Sequence, residues 1–378
     1  MRAVQGEATR RHRAAVSIEW ISRGRFITPR GIVVGAVRIA QGRIAEIRRT
    51  APRGARTLDA RGAFVAPGFI DLHVWGEPVV VSQDSARGGA TGFLTALGPE
   101  PPAQLLRHVA QRSQARKLCG AECLGLHLEG PFLNPVRGGV LPKRMMRRPA
   151  IGEFVRLFQA SRERVRLVTI APERSGALAA IRWCRRRGVV ASLGHSDATY
   201  DEAARAAAAG ATAVTHVFNG MRPLHHRSPS LVDAALSDPR LTTMVIADGV
   251  HVSAPVLRLL MRAKGPARVA LVTDSVRRQR RAWRLRRRGG VYVAPNGTLA
   301  GSALTMMRAV RNAVRLGGAS LEDAVRMASE TPARLIGVSR ARGTLAPGKR
   351  ADLVVFDADY RVRFTIVGGR IVYQREKR

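Results

Sequence analysis

With 378 residues, 46% of them hydrophobic, the chain can bury a large core, enough for a barrel of about 250 residues beside a small second domain. No apolar run reaches the roughly 20 residues that span a bilayer; Cys119, Cys123 and Cys184 are too few and too irregular for a disulfide framework or a cysteine-rich zinc site, which points to a reducing cytoplasm. The net charge of +37 would suit a nucleic-acid binder, but all but five of the 64 basic residues are arginines spread along the whole chain, as a GC-rich genome produces, and attraction of a small anionic substrate is the better use of that charge.

In chain order, residues 1–16 read as a basic N-terminal extension, ragged or disordered, without the apolar stretch of a secretory signal. From 17 to 64 short β-runs alternate with turns, as in GIVVGAVRIAQGRIAEI. Apolar runs bounded by glycine, proline and polar residues then predict eight strands, at 65–73, 89–97, 123–129, 165–170, 189–193, 211–218, 241–247 and 269–274. Ala- and Arg-rich helical segments lie between most of them, such as 103–117, 197–209 and 254–263. Eight such units predict an α/β fold, a (β/α)8 TIM-like barrel over 65–342. From 343 to 378 the β-and-turn pattern returns, so both chain termini are expected to meet in one small β-sandwich domain.

His73, Glu129, His195, His216, His251 and Asp274 each fall at, or within a few residues of, the C-terminal end of a predicted strand, the face where barrel enzymes place their chemistry. A lone buried histidine is more often a satisfied core residue. Several in glycine-flanked turns at strand ends are better read as ligands. His195 (SLGHSDAT) and His216 (VTHVFNGM), with Glu129 (LHLEGPF) as third ligand, make the imidazole and carboxylate set of a hydrolytic metal site with an open position for water. Asp274 follows a wholly apolar run, and a carboxylate there needs a cationic partner or a water to activate; it is the candidate general base, then general acid.

The segments PGFIDLH (67–73), HLEGPF (127–132), GHSDA (194–198), THVFNGM (215–221), PLHHRSP (223–229), ADGVH (247–251), VTD (272–274) and GTLAGSALTM (297–306) occur in one order. Together they resemble the N-acetylglucosamine-6-phosphate deacetylases of the amidohydrolase superfamily, over about residues 17 to 372. The resemblance implies Glu129, His195 and His216 as ligands of one divalent ion per subunit, foremost Zn2+, with Fe2+, Mn2+ or Co2+ as alternatives, and Asp274 as the catalytic acid and base. It implies that Asn219 and the Gly220 amide hold the substrate, with Val140, Asp248, Gly249, Val250 and His251 beside it. Leu299, Ala300 and Gly301 then form a wall of the pocket. Arg227 is implied to bind the phosphate, reaching it from the neighbouring subunit of a homodimer; a guanidinium fork suits a phosphate dianion. His225 and His226 read as turn-stabilising residues. The implied reaction is hydrolysis of the N-acetyl amide of a phosphorylated amino sugar, with no membrane partner.

Three departures stand out. Where many amidohydrolases carry His-x-His, this chain has His73-Val74-Trp75; tryptophan cannot bind a metal, so His73 marks at most a vestigial second site. The segment after Trp75 is short. Val140-Leu141 stands where relatives usually show a small residue and then histidine. In addition, RRQRRAWRLRRR (277–288) replaces a less charged loop. The alternatives are an amidohydrolase for another amide or a cyclic imide, which would want a carboxylated lysine after the fourth strand where VTIAPE has none, and a non-catalytic basic barrel that binds nucleic acid.

Overall fold

The computed structural model describes residues 18–115, 118–277, 279, 281 and 283–376; the basic extension expected at 1–16 lies outside them. Eight parallel strands form the barrel, each hydrogen-bonded to its neighbours in chain order: Phe69–Trp75, Ala90–Leu97, Glu122–Glu129, Val165–Ile170, Val190–Leu193, Ala213–Val214, Thr242–Ile246 and Val269–Val272. The seam between the first and last strands is joined by the Asp274 N–H to the His73 carbonyl (2.8 Å) and the Trp75 N–H to the Ser275 carbonyl (3.0 Å). The Thr273 hydroxyl also donates to the buried Asp71 carboxylate across it (2.6 Å). Every residue of the first, second and fifth strands is buried, because helices cover the outer face and packed side chains fill the interior. Burying each Leu, Ile or Val of these strands contributes roughly 1.5–3 kcal/mol.

The helices that cover the barrel include Pro78–Arg87, Pro102–Ser113, Ala177–Arg186, Tyr200–Ala209 and Ala254–Lys264. Two of them start with capping boxes: Thr199 with Glu202 before Tyr200–Ala209, and Ser230 with Asp233 before Leu231–Ser237. Each satisfies two backbone donors of a helix start and so fixes the end of a loop from the barrel mouth. Bridges Ser196–Met221 and Thr199–Ser230 tie those two loops together.

The termini meet in a mixed eight-stranded sheet. Its path runs Arg370–Gln374, Val362–Val367, Leu353–Phe356, Phe64–Pro67, Trp20–Thr28, Gly31–Ala40 and Arg43–Arg48, with Thr57–Asp59 paired to Trp20–Thr28. It has its own core, including Ile21, Phe26, Val37, Val65, Leu353, Val355 and Ile366. The run expected as one strand at 65–73 is two: Phe64–Pro67 belongs to this sheet, and the chain enters the barrel at Gly68. Only glycine fits there, since a Cβ would lie 2.2 Å from the Thr91 side chain. The sixth and eighth strands stop at Val214 and Val272, short of 218 and 274, because His216, Phe218 and Asp274 have positive φ and leave the extended region. After the eighth strand a three-stranded antiparallel sheet, Arg286–Arg288, Val291–Val293 and Leu299–Ser302, attaches to the barrel end through the Ser275–Ser302 bridge. No helix among the described residues is long and apolar enough to cross a membrane.

Candidate metal and substrate site

Glu129 closes the third strand at the C-terminal mouth and is the hub of the site. Its Oε1 lies 3.0 Å from His195 Nε2 and 2.8 Å from His216 Nε2, and those two nitrogens are 3.2 Å apart. Its Oε2 lies 2.9 Å from His73 Nε2, which is in turn 3.5 Å from Asp274 Oδ1. All except Asp274 are buried; the Asp274 side chain is 14% exposed. Burial alone would raise Glu129, but the imidazoles around it hold its carboxyl well below the usual carboxylate range. Burial opposes protonation of His73, yet Glu129 and Asp274 carry it up to about 9.

The donor set fits a small divalent cation. Bonds of about 2.0–2.1 Å in a tetrahedral site require ligand atoms about 3.3 Å apart, and the Glu129, His195 and His216 atoms stand 2.8–3.2 Å apart. His195 is oriented for this role: its Nδ1–H donates to the Arg137 carbonyl (2.8 Å), which turns the Nε2 lone pair towards Glu129. A second grouping, His73, Glu129 and His216, also offers one ligand atom each within 4.8 Å of one another.

The backbone at these residues is unusual. His195, His216 and Asp274 have φ of 46°, 29° and 46°, a region that costs non-glycine residues roughly 1–3 kcal/mol each and recurs at functional sites. Local bonds hold the conformation: the His195 carbonyl accepts from the Asn134 N–H (2.9 Å), the His216 carbonyl from the Asn219 N–H (3.0 Å), and the Asp274 carbonyl from the Ser302 N–H (2.9 Å).

The other expected residues fall around this cluster unequally. Gly220 (φ 62°) packs so closely that a Cβ would lie 2.8 Å from His195 Nδ1, and its N–H donates to nothing among the described residues. The Asn219 amide is half-buried and turned onto the His216 and Val217 carbonyls (3.3 Å each). Val140 is half-buried and follows Gly139, where a Cβ would come within 3.9 Å of His195 Cε1. Asp248 organises its own turn: it accepts from the Val250 and His251 N–H groups and pairs with His251 Nδ1 (2.7 Å). Burial opposes the charge of Asp248, but His251 holds its pKa down. Gly249 has a φ of 82° and Val250 is exposed. Leu299 is exposed while Ala300 and Gly301 are buried, and a Cβ on Gly301 would meet the Asp274 carbonyl at 2.7 Å. Arg227 is exposed; its N–H donates to His225 Nδ1 (3.3 Å), and no hydrogen bond or ion pair joins its guanidinium to the cluster among the described residues. His225 and His226 are exposed and stacked on each other.

Several participants escaped the sequence reading. Trp75, taken only as a lost ligand, donates its indole N–H to Asp274 Oδ1 (3.0 Å). Buried His127 lies edge-on to His73 and bonds the Leu72 carbonyl and the Thr169 hydroxyl. Glu173 accepts from Asn134, the Ser196 hydroxyl and the Asp197 N–H, while Asp197 pairs with Arg137 and Arg222. Glu173 stands three residues beyond the fourth strand, so the strand-end rule could have found it. The Arg137 carbonyl could not be found that way, because any residue would supply it.

The chain matches the model of the amidohydrolase family over residues 64–372. It is 36% identical over 358 residues to the N-acetylgalactosamine-6-phosphate deacetylase of Escherichia coli O157:H7, covering 89% of this chain and 94% of that one. It is 35% identical over 329 residues to the N-acetylglucosamine-6-phosphate deacetylase of Vibrio furnissii, covering 81% and 82%. Among solved structures, the N-acetyl-D-glucosamine-6-phosphate deacetylase of Mycobacterium smegmatis superposes with a TM-score of 0.85 at 36% identity, over 94% of this chain and all of that one.

Proposed function

The chain belongs to the amidohydrolase family, and from that membership we propose that it hydrolyses the N-acetyl amide of N-acetylglucosamine-6-phosphate or a close relative, releasing acetate and the amino sugar phosphate. The observation that carries the reading is the convergence of His195 and His216 on one oxygen of Glu129, with Asp274 close by at the same barrel mouth. Glu129, His195 and His216 hold one divalent ion per subunit, with zinc as the first choice given a two-histidine, one-carboxylate set and Fe2+, Mn2+ or Co2+ as alternatives. Bound there, such an ion supplies Lewis acidity to the amide carbonyl and to the attacking water. Asp274 removes the proton from that water and returns it to the departing amine nitrogen.

Substrate placement falls to the rim. Asn219 and the Gly220 N–H hold the sugar, together with Val140, the 248–251 turn, and Leu299, Ala300 and Gly301. His251 is presented by Asp248, which occupies its Nδ1 and leaves Nε2 for a hydroxyl or phosphate oxygen. Arg227, solvent-exposed in one chain, grips the 6-phosphate of the neighbouring active site in a homodimer, where a bidentate guanidinium is matched to a dianion. The relatives act on gluco- and galacto-configured sugars by name, and they favour neither a cyclic-imide hydrolase nor a nucleic-acid binder. The free thiols of Cys119, Cys123 and Cys184 accord with a cytoplasmic location.

The test is acetate release by metal-loaded protein from N-acetylglucosamine and N-acetylgalactosamine, each with and without a 6-phosphate. Turnover of a phosphorylated sugar supports the reading. Release from neither phosphorylated sugar, at full metal occupancy, overturns it.

A further inference from the structure

Trp75 stands at the end of the first barrel strand with 5% of its surface exposed. Its place is set twice over. The strand seam lays it alongside the 274–275 turn through the Trp75 N–H to Ser275 carbonyl bond (3.0 Å) and the Asp274 N–H to His73 carbonyl bond (2.8 Å). Its ring is buried in an apolar cluster with Leu133, Leu141, Met146, Val276 and Tyr292, and Trp283 meets it edge-on at 4.8 Å. Gly98 leaves the space for the indole, since a Cβ there would lie 2.8 Å from Trp75 Cη2. A ring held this firmly aims its single polar atom, and the indole nitrogen can only donate.

That donor meets Asp274 Oδ1 at 3.0 Å, while Oδ2 accepts no hydrogen bond among the described residues. The two oxygens of the carboxylate are therefore unequal: Oδ1 is engaged by a fixed N–H group and lies 3.5 Å from His73 Nε2, whereas Oδ2 is left without a donor among the described residues. Rotation about χ2, which interchanges carboxylate oxygens at little cost because the torsion is broad, would here break a charge-assisted bond.

We propose that Trp75 is a positioning residue for the reaction: its indole N–H holds Asp274 Oδ1 and so keeps Oδ2 turned towards the amide for both proton transfers. The inference rests on the proposed role of Asp274. Leu141, apolar where relatives usually show histidine, falls in the same apolar cluster as the indole. An orienting bond of this kind acts on the chemical step rather than on substrate capture, and misplacement of a catalytic group by about 1 Å can cost up to about 10²-fold in rate.

Three variants of the metal-loaded protein test it, with kcat and KM measured on the phosphorylated N-acetyl sugar and metal content measured in parallel. Trp75→Phe keeps an aromatic ring in the apolar cluster and removes the N–H; kcat is expected to fall roughly ten- to a hundredfold with KM and metal content unchanged. Site-specific replacement of Trp75 by benzothienylalanine, which has sulfur where indole has N–H and otherwise nearly the same shape, should give the same loss, and it decides the matter if Trp75→Phe does not fold. Trp283→Phe, which loosens the packing around the indole but spares the N–H, should lower kcat less than Trp75→Phe does. The proposal is overturned if benzothienylalanine at position 75 retains full kcat, or if Trp283→Phe slows the reaction as much as Trp75→Phe does, since packing alone would then explain the effect. Loss of activity in Asp274→Asn with none in the Trp75 variants would remove this inference alone; full activity in Asp274→Asn would remove the proposed mechanism beneath it.

Discussion

Gly220→Ala is the sharpest probe of how His195, a proposed metal ligand, is held. Gly220 has a φ of 62°, and a Cβ there would lie 2.8 Å from His195 Nδ1 and 3.1 Å from the Arg137 carbonyl oxygen. Those are the donor and acceptor of the 2.8 Å bond that orients His195, so the methyl group wedges into it. Holding alanine in the left-handed region costs about 1–2 kcal/mol, and loss of the hydrogen bond about 1 kcal/mol more, so the fold should weaken by about 2–3 kcal/mol. Metal binding should suffer as well, because losing the outer hydrogen-bond partner of a ligating histidine typically lowers metal affinity about 10–100-fold. Gly188→Ala is the matched control: its φ is 64° with nothing within 4 Å of the added Cβ, so it carries the backbone cost alone. Affinity is read by chelator competition with zinc or cobalt, and stability by thermal unfolding of the apo protein. If Gly220→Ala binds metal as tightly as the parent, either His195 is not a ligand or the Arg137 carbonyl does not orient it.

Asp274→Asn, nearly isosteric but unable to take a proton, should lower kcat by about 10²–10⁴ with metal content intact; a much smaller loss would mean that another group is the base. Arg227→Ala should raise KM strongly for the 6-phosphorylated sugar and little for the unphosphorylated one, and an equal effect on both would make Arg227 structural. Chelation should abolish turnover and lower the unfolding temperature, with both restored by added metal, because an ion at about 100 times its dissociation constant adds about 2.7 kcal/mol to the folded state. Activity that survives complete removal of metal would refute a metal-dependent reaction. Sedimentation should show a dimer, and mixing Arg227→Ala with Asp274→Asn subunits should restore some phosphate-dependent turnover; a fully active monomer would rule out an arginine supplied by the neighbour.

How much of this was legible depended on whether the information sat in one stretch of chain or between two. The apolar run before Glu129, and those before His195 and Asp274, announce buried strands whose polar residues must fall at the mouth, so the fold and the candidate site residues follow from local pattern. The strand at 165–170 was read to the residue because it ends where its apolar run ends. The sixth strand was read too long because Val217 is apolar and buried although the chain has already turned at His216; hydrophobicity reports burial, not φ. The run at 65–73 failed for the opposite reason, being uniformly apolar across two sheets, with the break marked only by Gly68 and its approach to Thr91.

The Trp75–Asp274 bond spans 199 residues and exists only because the first and last strands meet, so no local pattern could reveal it. That origin has a consequence. The hydrogen bonds that close the barrel, from the Asp274 N–H to the His73 carbonyl and from the Trp75 N–H to the Ser275 carbonyl, run through the residues that carry the carboxylate and its holder. Asp71 bonds the Thr273 hydroxyl on the same seam, and its burial, only partly offset by that bond, pushes its pKa up to about 6. A barrel that opened at this seam would therefore lose the placement of Asp274 before it lost Glu129, His195 or His216, which stand on the third, fifth and sixth strand ends and are tied to one another by separate bonds. Catalysis in this chain should fail at the seam first, while Glu129, His195 and His216 are still assembled.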